Sequence, residues 1–156
     1  MLAKLGDLDE ARALFDDGLA QAERLGQPRL LIGMLMGSAY VAIEEDRAED
    51  ALALMKRSLL IERDIGALLG MRIVLGGIAR VLSMMGEADS AAQLLACTDT
   101  LGGEITGNFA WVSAKRIEET LGSIREQLGE EALAEAWAAG AAMTLDEGVE
   151  LALSVA

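Results

Sequence analysis

Three carboxylates, Asp7, Asp9 and Glu10, fall within four residues near the start of the chain. Carboxylates at this spacing could bind calcium, because calcium loops take oxygen ligands from alternate positions. Such a loop also needs a further ligand and a glycine, where this chain has Ala11 and Arg12. The pattern therefore favours the first turn of a helix over a metal site, with Asp7 as the N-cap and Glu10 as its capping-box partner.

Two other acidic clusters, Glu44–Asp46 and Glu118–Glu119, could supply the paired carboxylates of glycoside hydrolysis. A turn and a solvated helix face explain them better, and Asp46 with Glu49 repeats the D-x-x-E spacing of the first cluster. The chain has no histidine, which removes the commonest general base and every Ser-His or Cys-His nucleophile pair. We therefore expect no enzyme activity, no metal and no cofactor.

The composition predicts an all-α fold. Apolar residues make up 53% of the chain, aromatics 3%, and a single proline occurs. Alanine, leucine and methionine dominate, all three are strong helix formers, and no stretch alternates in the way a half-buried strand does. The single cysteine, Cys97, has no partner for an internal disulfide, so we expect it to pack as a core residue of a cytoplasmic protein.

The charge and hydropathy restrict the partners. A formal net charge of −13 repels phosphate backbones, so we expect no direct binding of nucleic acid. The longest uncharged run, Leu30–Ile43, is too short for a helix that spans a bilayer. The mean hydropathy of +0.32 is nevertheless high for so acidic a chain, which suggests an apolar surface for self-association.

An internal repeat organises the chain. The segment LGDLDEARALF aligns with residues 45–55 and again with residues 85–95. A small-large-small triplet recurs at spacing i, i+4, i+7, which places it on one helix face. A leucine follows the first residue of each triplet by three positions. The triplets are Ala11/Phe15/Gly18, Ala51/Met55/Ser58 and Ala91/Leu95/Thr98.

Between these helices lie two apolar helices that follow the same repeat, with Gly37 aligned to Gly77. Glycine inside a helix costs about 1 kcal/mol relative to alanine, and close packing against a neighbour is the usual compensation. The repeating unit is thus a hairpin of two helices and about 40 residues, a length that is typical of helical repeats. The predicted helices are 7–25, 28–44, 46–64, 67–85, 87–101, 109–128, 130–142 and 145–154.

We interpret residues 1–156 as one domain, with hairpin repeats over 1–107 and capping helices over 108–156. Thr144 and Glu147 form a capping-box pattern at the start of the last helix. The first helix, 7–25, is the second half of a hairpin whose first half is missing. A partner chain over that helix, or a fragment of a longer protein, would explain the gap, so we predict an interface at Ala11, Phe15 and Gly18.

The pattern of Met36, Gly37 and Tyr40, followed by Ala51 and the rest of its triplet, resembles the tetratricopeptide repeat. Three longer phrases carry a narrower likeness: LGDLDEARALFDDGLAQAERLG, MGEADSAAQLLA and LGEEALAEAWAAGAAMTLDEGVELAL. Together they resemble the tetratricopeptide-like C-terminal region of large bacterial signalling ATPases and LuxR-type transcriptional regulators, some of which are linked to cyclase domains. The resemblance implies a right-handed superhelical stack of antiparallel hairpins and a sensor or scaffold role.

In tetratricopeptide arrays the first helix of each hairpin lines the concave groove. When the tetratricopeptide pattern is aligned on Gly37 and Gly77, it places seven residues on the groove side. The other interpretation of these residues is plain core packing. The function we expect is a non-catalytic module that binds a segment of a partner protein in this groove. The alternatives are a homodimerisation module or a helical domain for a small apolar ligand. The groove residues are Leu31, Met34, Ser38, Val41, Met71, Val74 and Ile78.

Overall fold

The computed structural model describes residues 5–101 and 114–155, and the side chains within these ranges except at 5, 6 and 114. Every regular element in these ranges is an α-helix, which confirms the predicted all-α class. None of the described helices has the length and apolarity needed to cross a membrane. The helices are α1 Leu5–Leu25, α2 Pro28–Glu44, α3 Ala48–Asp64, α4 Leu68–Met84, α5 Ala88–Thr100, α6 Ala114–Leu128, α7 Glu130–Ala141 and α8 Leu145–Ser154.

The turns between the first five helices share one geometry. Gly26, Asp46, Gly66 and Gly86 all have positive φ, between 61° and 84°, and their numbers show that they are evenly spaced along the chain. A left-handed residue after the last helical turn allows the next amide to bond back to the end of the helix. The amides of residues 47, 67 and 87 do so, each to the carbonyl five positions earlier at 2.8–2.9 Å. One helix with its turn is therefore half of the repeat, and two such steps form a hairpin.

The geometry of this turn and the observed start of α1 each correct one predicted cap. Asp46 closes α2 in the left-handed conformation instead of capping α3, and the N-cap of α3 is Arg47, without a side-chain cap bond. Asp7 lies in the first turn of α1, because that helix begins two residues earlier than predicted. The third predicted cap is confirmed: Glu147 N donates to Thr144 Oγ1, and Thr144 N donates to Glu147 Oε1, both at 3.2 Å.

The chain divides into two compact units, Met1–Leu68 and Leu69–Ala156, here called unit 1 and unit 2. In unit 1, α2 packs against both α1 and α3. In unit 2, α5 packs against α6, α7 and α8. The organisation of 1–156 as one domain remains a prediction. The predicted and observed helix ends agree within two residues, except that residues 109–113 of the sixth helix lie outside the described residues.

Candidate functional site

Asp9, from the acidic cluster at the start of α1, is part of an ion-pair network. Arg12 pairs with Asp9 at 2.9 Å within α1, and its Nε donates to Glu45 Oε1 at 3.1 Å. Arg47 binds the other carboxylate oxygen of Glu45 at 2.6 Å. Hydrogen bonds from Arg47 and Arg12 hold the pKa of Glu45 below its ordinary value. These groups tie α1 to the turn between α2 and α3.

The acidic residues are not gathered into a metal centre where the structure can be described. Over residues 5–101 and 114–155, no three carboxylate or thiol groups lie together in a way that could hold a metal ion. Glu118 and Glu119, proposed above as a solvated helix face, are exposed on α6. Cys97 is fully buried, as predicted, and its thiol donates to the Thr144 carbonyl at 3.6 Å.

Two of the predicted interface residues of α1, Phe15 and Gly18, pack against α2 of the same chain. The ring of Phe15 lies directly over Gly37, where a Cβ atom would collide with it. A Cβ atom at Gly18 would lie 2.5 Å from the Sδ of Met34. The helix that Phe15 and Gly18 receive is therefore α2, since the second half of one hairpin also contacts the first half of the next. A partner at Ala11, Phe15 and Gly18, all half-buried, remains a prediction.

The predicted groove residues separate into two groups. Val41, Met71, Val74 and Ile78 are buried, so they have no surface to offer a partner, and core packing describes them. Leu31, Met34 and Ser38 on α2 are half-buried and retain some surface. The reason is that helices α2 and α4 are apolar nearly all round, so a helical face chosen by repeat alignment alone does not distinguish interior from groove.

A buried acid, Glu62 on α3, was not among the candidate site residues. Its side chain is 3% exposed, Ser58 Oγ donates to Oε1 at 3.5 Å, and Oε2 has no hydrogen-bond partner. Burial raises the pKa of Glu62 to about 7. The repeat itself indicates that this position is buried. The triplet face of α1 continues eleven residues after Ala11 to Ala22, which is buried, and the equivalent residue of α3 is Glu62.

No protein-family model, no curated protein and no solved structure matches the chain.

Proposed function

We propose that the chain is a non-catalytic interaction module of a bacterial signalling or transcriptional regulator, and that its hairpins hold a segment of a partner protein. Helical repeats suit this role because successive hairpins extend one binding surface. The tetratricopeptide-like superhelix and its groove belong to this proposal, as does the place of the chain in a regulator, which rests on the resemblance of the three phrases.

The observation that supports the proposal is the number of large apolar side chains left exposed along the repeats. Single exposed leucines are ordinary on a soluble protein. Here Leu14 and Leu54 share one repeat position, Leu25 and Ile65 share another, and each pair keeps apolar surface. Both pairs lie in unit 1, and a group of exposed apolar side chains on one unit is the kind of surface that a partner protein covers. The exposed set includes Leu14, Leu25, Leu30, Leu60, Ile65, Leu68, Leu69, Met84 and Ile117.

Within the proposed groove, the half-buried residues of α2 offer the contact surface. Leu31 and Met34 are three positions apart, and Ser38 follows one turn later, so all three face one side of the helix. Leu31 supplies most of the apolar contact, because the side chain of Met34 also packs at Gly18 of α1. An amphipathic partner helix would insert its apolar side here.

A homodimer is the second candidate. The same exposed leucines and the mean hydropathy of +0.32 favour it, because apolar surface is removed from water when two copies associate. Sedimentation equilibrium distinguishes the two: a module for another protein stays monomeric at tens of micromolar, whereas a dimerisation module does not.

The test is a selection of helical peptides from a display library against the full chain, followed by calorimetric titration of the selected peptides. We expect Leu31→Asp to weaken binding about tenfold or more. The control variant Ala134→Asp, on an exposed face of α7, should leave binding unchanged. A library that yields no binder, together with a monomeric chain, would contradict the interaction function.

A further inference from the structure

One repeat position has three different environments along the chain. Leu14 on α1 is 67% exposed, its counterpart Leu54 on α3 is half-buried, and its counterpart Leu94 on α5 is 0% exposed. Beside Leu94, the main chain of Gln93 lies against Gly140 of α7, so closely that a Cβ atom at Gly140 would collide with it. In unit 2 a helix therefore packs beside this repeat position, whereas on α1 the position is open.

We define the outer face of α1 by Glu10, Leu14, Asp17, Gln21 and Leu25. Their spacing of three or four residues places them on one side of the helix. This side differs from the one that carries Phe15 and Gly18 to α2. Both leucines of the outer face are largely in water, with Leu25 61% exposed. Two leucines about 16 Å apart along the axis match the reach of a three-turn partner helix.

The polar residues of the outer face carry uncompensated negative charge. Within the described part of the chain, Glu10 and Asp17 have no cationic partner. Asp17 accepts one hydrogen bond, from the side-chain amide of Gln21 at 2.9 Å. Arg12 points its guanidinium group to Asp9 and Glu45 instead. The equivalent positions around Leu54 differ, because Asp50 and Arg57 are both in ion pairs there.

We propose that the outer face of α1 docks a cationic amphipathic helix of a partner protein. Leu14 and Leu25 take the apolar side of that helix, while Glu10 and Asp17 pair with lysine or arginine along its edge. The inference rests on the proposed function and adds to it a second surface and the charge of the partner.

The charges argue against a second copy of this chain as the occupant. Two outer faces brought together would oppose Glu10 and Asp17 to the same acids, and like charges across an interface are unfavourable. The helix α7 of a second copy is no better suited, because Glu130, Glu131 and Glu135 make it acidic too. At a net charge of −13, the partner that is attracted over distance is a basic one.

The experiment titrates the full chain with an amphipathic Leu/Lys peptide of about 18 residues and with its Leu/Glu counterpart of identical pattern. We expect the Leu/Lys peptide to bind and the Leu/Glu peptide not to bind. Leu14→Ser, and separately the pair Glu10→Gln with Asp17→Asn, should each weaken binding about tenfold or more.

The matched controls are Leu101→Ser, and Glu131→Gln with Glu135→Gln, which remove one leucine side chain or two negative charges from exposed positions outside the proposed surfaces. They should change the affinity less than about twofold. Equal losses in variants and controls would mean diffuse attraction and overturn the proposal. Failure of the Leu/Lys peptide to bind, or a homodimer that Leu14→Ser dissociates, would overturn it as well.

The two proposals fail differently. Display-selected peptides that bind equally well to the wild type and to the α1 variants would leave the interaction function standing and remove the outer face of α1 as its site. If no peptide of either charge binds and the selection yields nothing, the interaction function itself fails.

Discussion

Units 1 and 2 contain the same repeat but pack its helices in different ways. In unit 1, side chains separate α1 from α2: the ring of Phe15 covers Gly37, and Met34 fills the space at Gly18. In unit 2, Gly140 brings α7 against the main chain of α5, and a Cβ atom at Gly148 of α8 would lie 2.8 Å from the Sγ of Cys97. The repeat therefore determines where the helices begin and end. The packing on the rest of each helix surface depends on the helices that follow in the chain.

The largest effect should come from Gly140→Ala in unit 2. The added Cβ atom meets the backbone of Gln93, which cannot rotate away as a side chain can, so α5 and α7 must separate. We expect the free energy of unfolding to fall by about 3 kcal/mol, measured by chemical denaturation. Gly122→Ala on α6, with nothing within 4 Å of its Cβ position, is the control and should gain up to about 1 kcal/mol.

Glu62→Met should stabilise unit 1 at pH 8 by about 2 kcal/mol, because it removes a buried carboxylate with an unpartnered oxygen. The folded-state pKa of about 7 exceeds the ordinary 4.5, so burial penalises the ionised form. That penalty is absent below pH 4.5, grows as the pH rises to about 7, and is complete above it.

Denaturation of the wild type and of Glu62→Met across this pH range measures the effect. Glu49→Met, at an exposed position of the same helix, controls for the loss of one negative charge. A stability difference that stays constant between pH 4.5 and 7 would show that burial does not raise the pKa of Glu62 above its ordinary value.

Gly37→Ala should cost unit 1 about 1.5 kcal/mol, because its methyl group competes with the ring of Phe15. The loss is smaller than at Gly140, since a ring can shift where a main chain cannot. Combining it with Phe15→Leu should recover part of the loss, which a double-mutant cycle measures. Gly33→Ala, one turn earlier on α2 with open space around it, should not destabilise. Additive losses without recovery would contradict this contact.

The smallest effect concerns the shared turn geometry. Asp46 is the one described non-glycine residue with positive φ, at 61°, in a turn that uses glycine at the equivalent positions. Asp46→Gly should raise the melting temperature, with a gain of about 0.7 kcal/mol, because glycine adopts this conformation without steric cost. Gly66→Ala should lower stability by about 1 kcal/mol. Unchanged stability in both variants would mean that these turns do not strain a side chain.

The helices were predictable because local signals agree with the repeat. Pro28 lies in the first turn of α2, which begins at the predicted residue, and Gly26, Gly66 and Gly86 mark the turns. The caps at Asp7 and Asp46 were wrong, because an acid before a helix also suits a first turn or a left-handed position. The spacing of residues in the sequence does not distinguish these roles, whereas the helix starts seen in the structure do distinguish them.

The burial of individual positions was less predictable, since it depends on contacts distant in sequence. Leu14 and Leu94 have the same place in the repeat, and the packing of α7 beside one of them separates their environments. Glu62 was missed because its residue type indicates an exposed side chain, although its repeat position is buried at Ala22. For the burial of Glu62, its position in the repeat was therefore a better guide than its residue type.

The most direct test of the contrast between the two units is the labelling rate of cysteine at one repeat position. Leu14→Cys, Leu54→Cys and Leu94→Cys are made singly in a Cys97→Ala background, and each thiol is labelled under native conditions. We predict rapid labelling at 14, slower labelling at 54, and protection at 94 that is lost only when the protein unfolds. Equal labelling rates at all three positions would contradict it.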